Sequence, residues 1–217
     1  MKRKLSLKKQ IALAMAVVLC MLCFLPVRAN AAAANYKSVY KKLLQKSKIS
    51  YTDSYNIART EKPSYFALLD IDKNGVPELF VSSLKPDNAF LSTVIFSVKN
   101  GKAVFCGEYY HKGDSYIHYS KKHKALYDYY WINGVGGAGE RLCRLSKYKL
   151  KEYKHLYAEN KSAFSDVRIY KYASNGADLK TVSAAKSTSL YNKYFKETRQ
   201  KYTLKKNTAA NRKKLLG

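Results

Sequence analysis

Residues Phe66–Ser83, FALLDIDKNGVPELFVSS, place two apolar runs on either side of an acidic loop that begins at Asp70. The runs are rich in β-branched and aromatic residues and predict two strands joined by the loop. Gly75, the sixth loop residue, permits the positive φ that a tight loop around an ion needs. Oxygen atoms at alternate loop positions suit Ca²⁺, with ligands from the side chains of Asp70, Asp72, Asn74 and Glu78 and from the backbone carbonyl of Val76.

The loop departs from a helix-flanked calcium site at its twelfth position. A bidentate Glu normally stands there, whereas this chain has Val81 within a run that is unsuited to an exiting helix. The sequence therefore predicts a calcium-type loop at the tip of a β-hairpin. Its role would be structural, because ligands from one tight hairpin leave little of the coordination shell for a substrate. The alternative is an Asn-Gly turn whose acidic groups are simply solvated.

The N-terminal residues have the parts of a secretory signal peptide. A cationic stretch within residues 2–9 precedes an apolar run from Ile11 to Leu25, and small residues at a cleavage spacing follow in Ala29-Asn30-Ala31. The apolar run is shorter than the about 20 residues that a membrane span requires. We therefore expect residues 1–31 to be a signal peptide and residues 32–217 to be a single exported domain without a transmembrane span.

Positive charge dominates the composition. The chain has 41 Lys and Arg residues against 15 Asp and Glu residues, a formal net charge of +26. Cleavage after Ala31 would remove six basic residues and no acidic one, which leaves about +20 to attract polyanions. The expected partners are anionic cell-surface polymers or glycans, with nucleic acid attracted through charge only. The alternative is that a Lys-rich surface keeps an exported protein soluble.

Helical spacing occurs near both ends of the expected domain. Asn35 can cap a first helix with apolar positions at Tyr36, Val39, Tyr40, Leu43 and Leu44. A C-terminal helix is predicted by the stripe Tyr191, Tyr194, Phe195, Thr198 and Tyr202, and a shorter helix over Ala209–Leu216. Residues 47–63 are polar and mixed and predict a connection.

Between these helices, short β-like runs alternate with turn signals. The predicted strands are Leu91–Val98, Lys102–Tyr110, Ser115–Ser120, Ala125–Trp131, Glu140–Lys147, Leu150–Ala158 and Asp166–Ala173, with a glycine-rich connection at Asn133–Gly139. The pair Asn100-Gly101 is a strong two-residue hairpin signal. The fold class expected is therefore α+β, a curved antiparallel β-meander covered by an N-terminal helix and C-terminal helices.

Aromatic residues gather on one face of two adjacent strands. Pairing Ser120 with Ala125 across the basic turn Lys122-His123 gives this face Tyr116, His118, Tyr127, Tyr129 and Trp131, with Asp114 beside them. This set predicts a ligand-binding surface on which sugar rings or bases can stack. Alternatively, the rings stabilise the sheet or form a core. The opposite face, which includes Ile117 and Leu126, is comparably apolar, so the sequence leaves open which face is exposed.

The sequence does not identify catalytic residues. Its four His residues lack the spacing of a zinc site, and the glycine-rich segment lacks the Lys-Ser/Thr of a phosphate-binding loop. The carboxyl groups of Glu108, Asp114 and Glu140 leave open a hydrolase acting on polysaccharide or peptidoglycan. Cys106 and Cys143 would form one bridge or remain two buried thiols.

The loop D-I-D-K-N-G-V-P-E-L resembles two known patterns. It is similar to the hairpin calcium loop of integrin-type propeller blades, D-x-D-x-D/N-G-x-x-D/E, which implies the same five calcium ligands from Asp70 to Glu78. It also resembles a group of uncharacterised exported bacterial proteins with D-I-D-x-N/D-G-x-P-E-L followed by N-G-K hairpins. That second resemblance covers most of the mature chain in outline and implies no activity.

These observations together predict a secreted or cell-surface domain, stabilised by calcium, that binds anionic or glycan polymers without catalysis. The rival prediction is the secreted hydrolase. A third, an inhibitor or assembly factor that recognises another protein, is neither supported nor excluded by the sequence.

Overall fold

The computed structural model describes residues 36–53, 55–85, 92–110, 116–132, 136–162 and 167–217. These residues form mostly antiparallel β-sheets together with three helices: α1 at residues 36–44, α2 at Ala184–Tyr194 and α3 at Ala209–Leu216. The expected signal peptide and Asp114 lie outside the described residues. Within the described ranges, no helix has the length and apolar character needed to cross a membrane.

A five-stranded sheet is built around the acidic hairpin, with the strand order β14-β3-β4-β5-β6. Its strands are β3 at Tyr65–Leu69, β4 at Glu78–Ser82, β5 at Ser92–Lys99, β6 at Lys102–Tyr110 and β14 at Lys205–Lys206. Every residue of the central strand β4 is buried. Because both faces of β4 are covered, its three middle residues Leu79, Phe80 and Val81 are all apolar and do not alternate with polar ones.

A seven-stranded sheet contains most of the remaining strands, in the order β12-β11-β10-β9-β8-β7-β13. The bounds are β7 Tyr116–Ser120, β8 Ala125–Ile132, β9 Gly137–Ser146, β10 Lys149–Asn160, β11 Arg168–Ser174, β12 Lys180–Val182 and β13 Gln200–Thr203. Ser120 pairs with Ala125, which confirms the register predicted across the basic turn.

The expected single curved meander is not confirmed, because the strands divide between separate sheets. The main core contains residues of both large sheets: Ala67, Leu69, Ile71, Phe80, Ile95, Cys106, Tyr109, Ile117, Tyr119, Leu126, Leu145 and Leu204. So many twisted strands are better accommodated as two stacked sheets, each of which buries one face against the other.

The helices pack on different sheets, which corrects the prediction that they cover one face of one sheet. Residues of α1 and α3 share a second core cluster with the five-stranded sheet, and its members include Tyr40, Leu44, Leu79, Val81 and Leu216. Residues at the end of α2 share a third cluster with the seven-stranded sheet, where Leu190 and Phe195 meet Ala125, Leu142 and Leu156. The alternation Leu79, Phe80, Val81 along β4 explains how one strand serves two clusters.

Two further segments differ from the sequence prediction. Residues 47–63 contain a hairpin, β1 at Ile49–Thr52 with β2 at Ala58–Glu61, whose turn is held by the Asp53 carboxylate. That carboxylate accepts hydrogen bonds from the backbone N–H groups of Tyr55 and Ile57, both at 2.9 Å. The predicted helical stripe from Tyr191 to Tyr202 is also wrong in part. Helix α2 ends at Tyr194, and Tyr202 lies in β13, paired with β7.

The glycine-rich segment ends earlier than the sequence suggested. Strand β9 already begins at Gly137, and a Cβ atom added at Gly139 would overlap the Tyr130 ring. Glycine is therefore used here to let an aromatic ring lie on the strand. Cys106 and Cys143 are free thiols, the first buried and the second half-buried.

Candidate functional site

The acidic loop brings three carboxylates together. Oxygen atoms of Asp70, Asp72 and Glu78 all lie within 4.8 Å of one another, which is compatible with a single shared cation. Gly75 has a φ of +88°, as the sequence predicted from the tight turn. The sequence-predicted side-chain ligands at loop positions 1, 3 and 9 are therefore close in space.

Hydrogen bonds hold the loop in shape. The Asp70 carboxylate accepts from the backbone N–H groups of Asn74 at 3.1 Å and Gly75 at 3.0 Å. The side-chain amide of Asn74 donates to Asp72 at 3.1 Å, while its Oδ1 accepts from the backbone N–H of Val76 at 2.7 Å. Asn74 therefore already supports the turn with its oxygen, and the three carboxylates are the main donor set for a metal.

Glu78 is fully buried at the base of the loop. Its carboxylate accepts from the backbone N–H of Ile71 at 2.9 Å and from the Ser97 hydroxyl at 3.1 Å. Burial, together with the nearby Asp72 and Asp70 charges, nevertheless raises the pKa of Glu78 to about 8, against the effect of those two hydrogen bonds. Among the described residues no Lys or Arg forms an ion pair with Glu78, so the donor set fits a bound cation that would compensate its charge.

The loop is also tied to two other parts of the fold. The Tyr119 hydroxyl, from β7 in the seven-stranded sheet, donates to the Ile71 carbonyl at 3.0 Å. The Tyr40 hydroxyl, from α1, donates to the Pro77 carbonyl at 2.9 Å. The loop thus sits where both sheets and α1 meet, and anything that fixes its geometry also stabilises this junction.

The predicted ligand-binding face of β7 and β8 is the one that faces away from the main core. Tyr116, Tyr129 and Trp131 have exposed fractions of 38, 37 and 45 %. On the opposite face, Ile117 and Leu126 are fully buried. The packing of the two sheets therefore determines which face of β7 and β8 is exposed, which the sequence left open.

The five predicted ligand residues do not all have the same environment. The Arg199 guanidinium lies 3.3 Å from the centroid of the Tyr127 ring, and burial raises the pKa of Tyr127. The His118 ring lies between Tyr116 and Tyr127, with centroid distances of 6.4 and 6.1 Å. Tyr127 thus belongs to the packing against α2, whereas Tyr116, Tyr129 and Trp131 form what we name the exposed aromatic row.

A groove of about 300 Å³ continues from this row between the seven-stranded sheet and α2. Its walls include the rings of Tyr129, Tyr170 and Tyr191, with Glu140, Arg168 and Thr188 between them. Burial raises the pKa of Glu140, while the Arg199 guanidinium at 3.8 Å lowers it. Sequence reasoning missed Tyr170 and Tyr191 as groove residues, because only the sheet order and the docking of α2 bring them near Tyr129.

A larger cavity of about 570 Å³ is lined by residues of both sheets and of the β1–β2 turn. Its carboxyl groups include Glu108, Asp128 and Glu152. Asp128 pairs with Arg141, whose Nε lies 3.1 Å from its carboxylate. Next to the cavity, His155 connects Glu152, at 3.2 Å from Nδ1, to the Tyr130 hydroxyl, at 2.5 Å from Nε2.

Of the three acids proposed from the sequence for a hydrolase, the two that the structure describes, Glu108 and Glu140, are not brought together. Glu108 lines the larger cavity, Glu140 lines the groove beside α2, and Asp114 lies outside the described residues.

No protein-family model, no curated protein and no solved structure matches this chain. The geometry of these sites is therefore what a functional proposal can rest on.

Proposed function

We propose that this chain is an exported, strongly basic domain, stabilised by calcium, that binds anionic or glycan polymers at the cell surface without catalysing a reaction. One observation carries the proposal. The exposed aromatic row of Tyr116, Tyr129 and Trp131 leads into the groove beside α2. A row of rings next to a groove offers a linear polymer several contacts in sequence.

The spacing of the row supports binding of cyclic units. Tyr129 and Trp131 are two residues apart on β8, so their side chains leave the same face about 7 Å from each other. Aromatic faces stack on the apolar faces of sugars and bases. Repeating units of a polymer can therefore contact successive rings.

Charge supports the anionic part of the proposal. The full chain has a formal net charge of +26. Close to the row, the Lys201 ammonium lies 4.9 Å from the centroid of the Tyr116 ring, and Arg168 lines the groove. Long-range attraction would bring a polyanion to this surface, and the rings would then fix its position.

The single Trp of the chain provides a direct test, since Trp131 belongs to the row. Adding teichoic acid, heparin or a neutral glycan is expected to change the intrinsic fluorescence of Trp131. Tyr129→Ala should weaken that binding roughly tenfold, because one stacking contact is worth about 1–3 kcal/mol. Retention of charged polymers on the protein should also decrease steeply as salt rises.

Tyr55→Ala is the matched control, because Tyr55 is 81 % exposed and lies away from the row. This variant should bind as the unmodified protein does. If none of the three polymers binds at low salt, or if Tyr129→Ala and Tyr55→Ala have equal effects, the exposed aromatic row is not a binding surface.

A second candidate, a secreted hydrolase acting on polysaccharide or peptidoglycan, is favoured by one observation. The larger cavity holds Glu108 together with Glu152. In that case the protein should release reducing ends from such substrates, and Glu108→Gln should abolish the release. Glu140→Gln is the control, since Glu140 lines the other groove. A protein that releases no reducing ends supports the binding function over the hydrolase.

A further inference from the structure

A third cavity, with a volume of about 390 Å³, lies between the acidic loop and the turn that joins β7 to β8. It is lined by Asp72, Lys122, His123, Lys124, Arg144 and Leu145, and we name it the basic-turn cavity. Cationic side chains outnumber the single acidic one. The basic-turn cavity is separate from the exposed aromatic row, from the groove beside α2 and from the larger cavity lined by both sheets.

Arg144 is held in this cavity by uncharged groups. Its Nε donates to the His123 carbonyl at 2.8 Å, and its guanidinium lies 3.4 Å from the centroid of the Tyr153 ring. In the part of the chain that the structure describes, no carboxylate forms an ion pair with it. The position of this cation is therefore fixed without neutralising its charge.

The His123 ring gives a second, independent observation that favours a ligand in this cavity. The residue is only 8 % exposed, and its backbone N–H donates to the Ser120 hydroxyl at 3.0 Å. Its ring nitrogen Nε2 is buried and has no hydrogen-bond partner among the described residues. Buried polar atoms are normally satisfied, so an unpaired ring nitrogen on a residue that lines a cationic cavity favours a ligand that accepts a hydrogen bond.

We infer that the basic-turn cavity binds a phosphate or sulfate group of the polymer, with His123, Lys122, Lys124 and Arg144 as its hydrogen-bond and charge partners. The inference rests on the proposed function and names the part of the polymer that would be recognised. Such a group offers several oxygen acceptors to ammonium, guanidinium and imidazole donors. The cavity is also large enough for one such group together with part of the polymer chain.

Asp72 connects this cavity to the acidic loop, because it belongs to both. An uncompensated Asp72 carboxylate repels an incoming anion, whereas a cation bound to the loop removes that repulsion. Calcium is therefore expected to increase the affinity of the cavity for phosphate. By thermodynamic reciprocity, phosphate should increase the affinity for calcium by the same factor.

The test uses glycerol phosphate as the probe, titrated into the purified protein in calcium or in chelator at constant ionic strength. Binding is followed by the NMR signals of the His123 ring and by calorimetry. Lys122→Ala should weaken binding roughly tenfold, because a charge-assisted hydrogen bond is lost. Lys121→Ala removes the same charge from the same turn but not from the cavity wall, and it should change the affinity less than about twofold.

The results separate this inference from the proposed function. Equal losses in Lys121→Ala and Lys122→Ala, or His123 signals that stay unchanged with glycerol phosphate, teichoic acid and heparin alike, would overturn the cavity assignment, even where Tyr129→Ala still weakens polymer binding. The same titration with teichoic acid and heparin identifies which oxyanion is preferred. A loss confined to teichoic acid in Lys122→Ala assigns the cavity to phosphate, and one confined to heparin assigns it to sulfate.

Discussion

Removal of residues 187–217 is expected to prevent the domain from folding. The deletion takes away most of α2 and all of β13, β14 and α3. Four of the apolar side chains that would be lost are buried, namely Leu190, Phe195, Leu204 and Leu216. Truncating one large core side chain costs about 2–5 kcal/mol, so losing all four costs roughly 8–20 kcal/mol, which is as large as the whole stability of about 5–15 kcal/mol that a domain usually has.

The C-terminal segment also completes both large sheets. Strand β13 pairs with β7 at one edge of the seven-stranded sheet, and β14 pairs with β3 at one edge of the five-stranded sheet. In the connection between β14 and α3, the Asn207 side-chain amide donates to the carbonyls of Leu44 at 2.7 Å and Pro63 at 2.6 Å. Truncation would leave these carbonyls and two strand edges without their partners.

The truncated chain should show the circular dichroism and NMR spectra of an unfolded protein.

Two single substitutions, one of a buried residue and one of an exposed residue, test the same packing. Phe195→Ala should lower the free energy of unfolding by about 3–5 kcal/mol, because a buried aromatic ring is removed. Tyr191→Ala should lower it by less than about 1 kcal/mol, since Tyr191 is exposed. A truncated protein that melts at the same temperature as the full chain would refute the docking of this segment on the two sheets.

Strong local signals explain why part of the fold could be predicted. The acidic loop has its glycine at the position that adopts positive φ, and the Asn100-Gly101 pair adopts the positive φ angles of a tight hairpin. Helix α3 was predicted with the bounds that it has, Ala209–Leu216. These features depend on a few adjacent residues, so the sequence alone identifies them.

Short edge strands could not be predicted, because distant partners determine them. Tyr202 continues the helical spacing that begins at Tyr191, yet pairing with β7 draws it into β13. Strand β14 has only two residues and exists through its pairing with β3. The division into two stacked sheets likewise depends on which faces meet, and that is not encoded in any one stretch.

The candidate sites likewise differ in whether they depend on neighbouring residues or on residues far apart in the sequence. The three carboxylates of the loop lie within nine consecutive residues, so their spacing alone predicted that they would be close. Asp72 and His123 both line the basic-turn cavity although they are about fifty residues apart in the sequence, so only folding brings them to the same cavity. The exposure of Trp131 was also undetermined by sequence, since it depends on which face of β8 the other sheet covers.

Calcium is expected to raise the melting temperature of this domain. Three carboxyl groups lie within 4.8 Å of one another, and burial with the neighbouring charges raises the pKa of Glu78 to about 8. A bound cation would remove the repulsion between the carboxylates and favour the charged form of the buried Glu78. By mass action, the gain is about 2.7 kcal/mol when the free ion is a hundred times its dissociation constant. A gain of that size corresponds to a shift of roughly 5–10 °C for a domain of this length.

Asp72→Ala should remove the calcium response. In chelator, this variant should melt within about 2 °C of the unmodified protein, because two effects oppose each other. The loop loses the hydrogen bonds that Asp72 accepts from Asn74, at 3.3 and 3.1 Å, but it also loses a repelling charge. Asp178→Ala is the control, since it removes the same charge from an exposed position outside the loop and should keep the full response.

The measurement is a pair of thermal melts in millimolar calcium and in chelator, at constant ionic strength so that general screening of the basic surface is the same in both. Since Tyr119 and Tyr40 tie the loop to the second sheet and to α1, a bound ion should delay unfolding of the whole domain. Tertiary and secondary structure should then disappear at the same, higher temperature. Equal melting temperatures in the two solutions would instead identify the loop as an Asn-Gly turn with solvated acidic groups, held by its own hydrogen bonds.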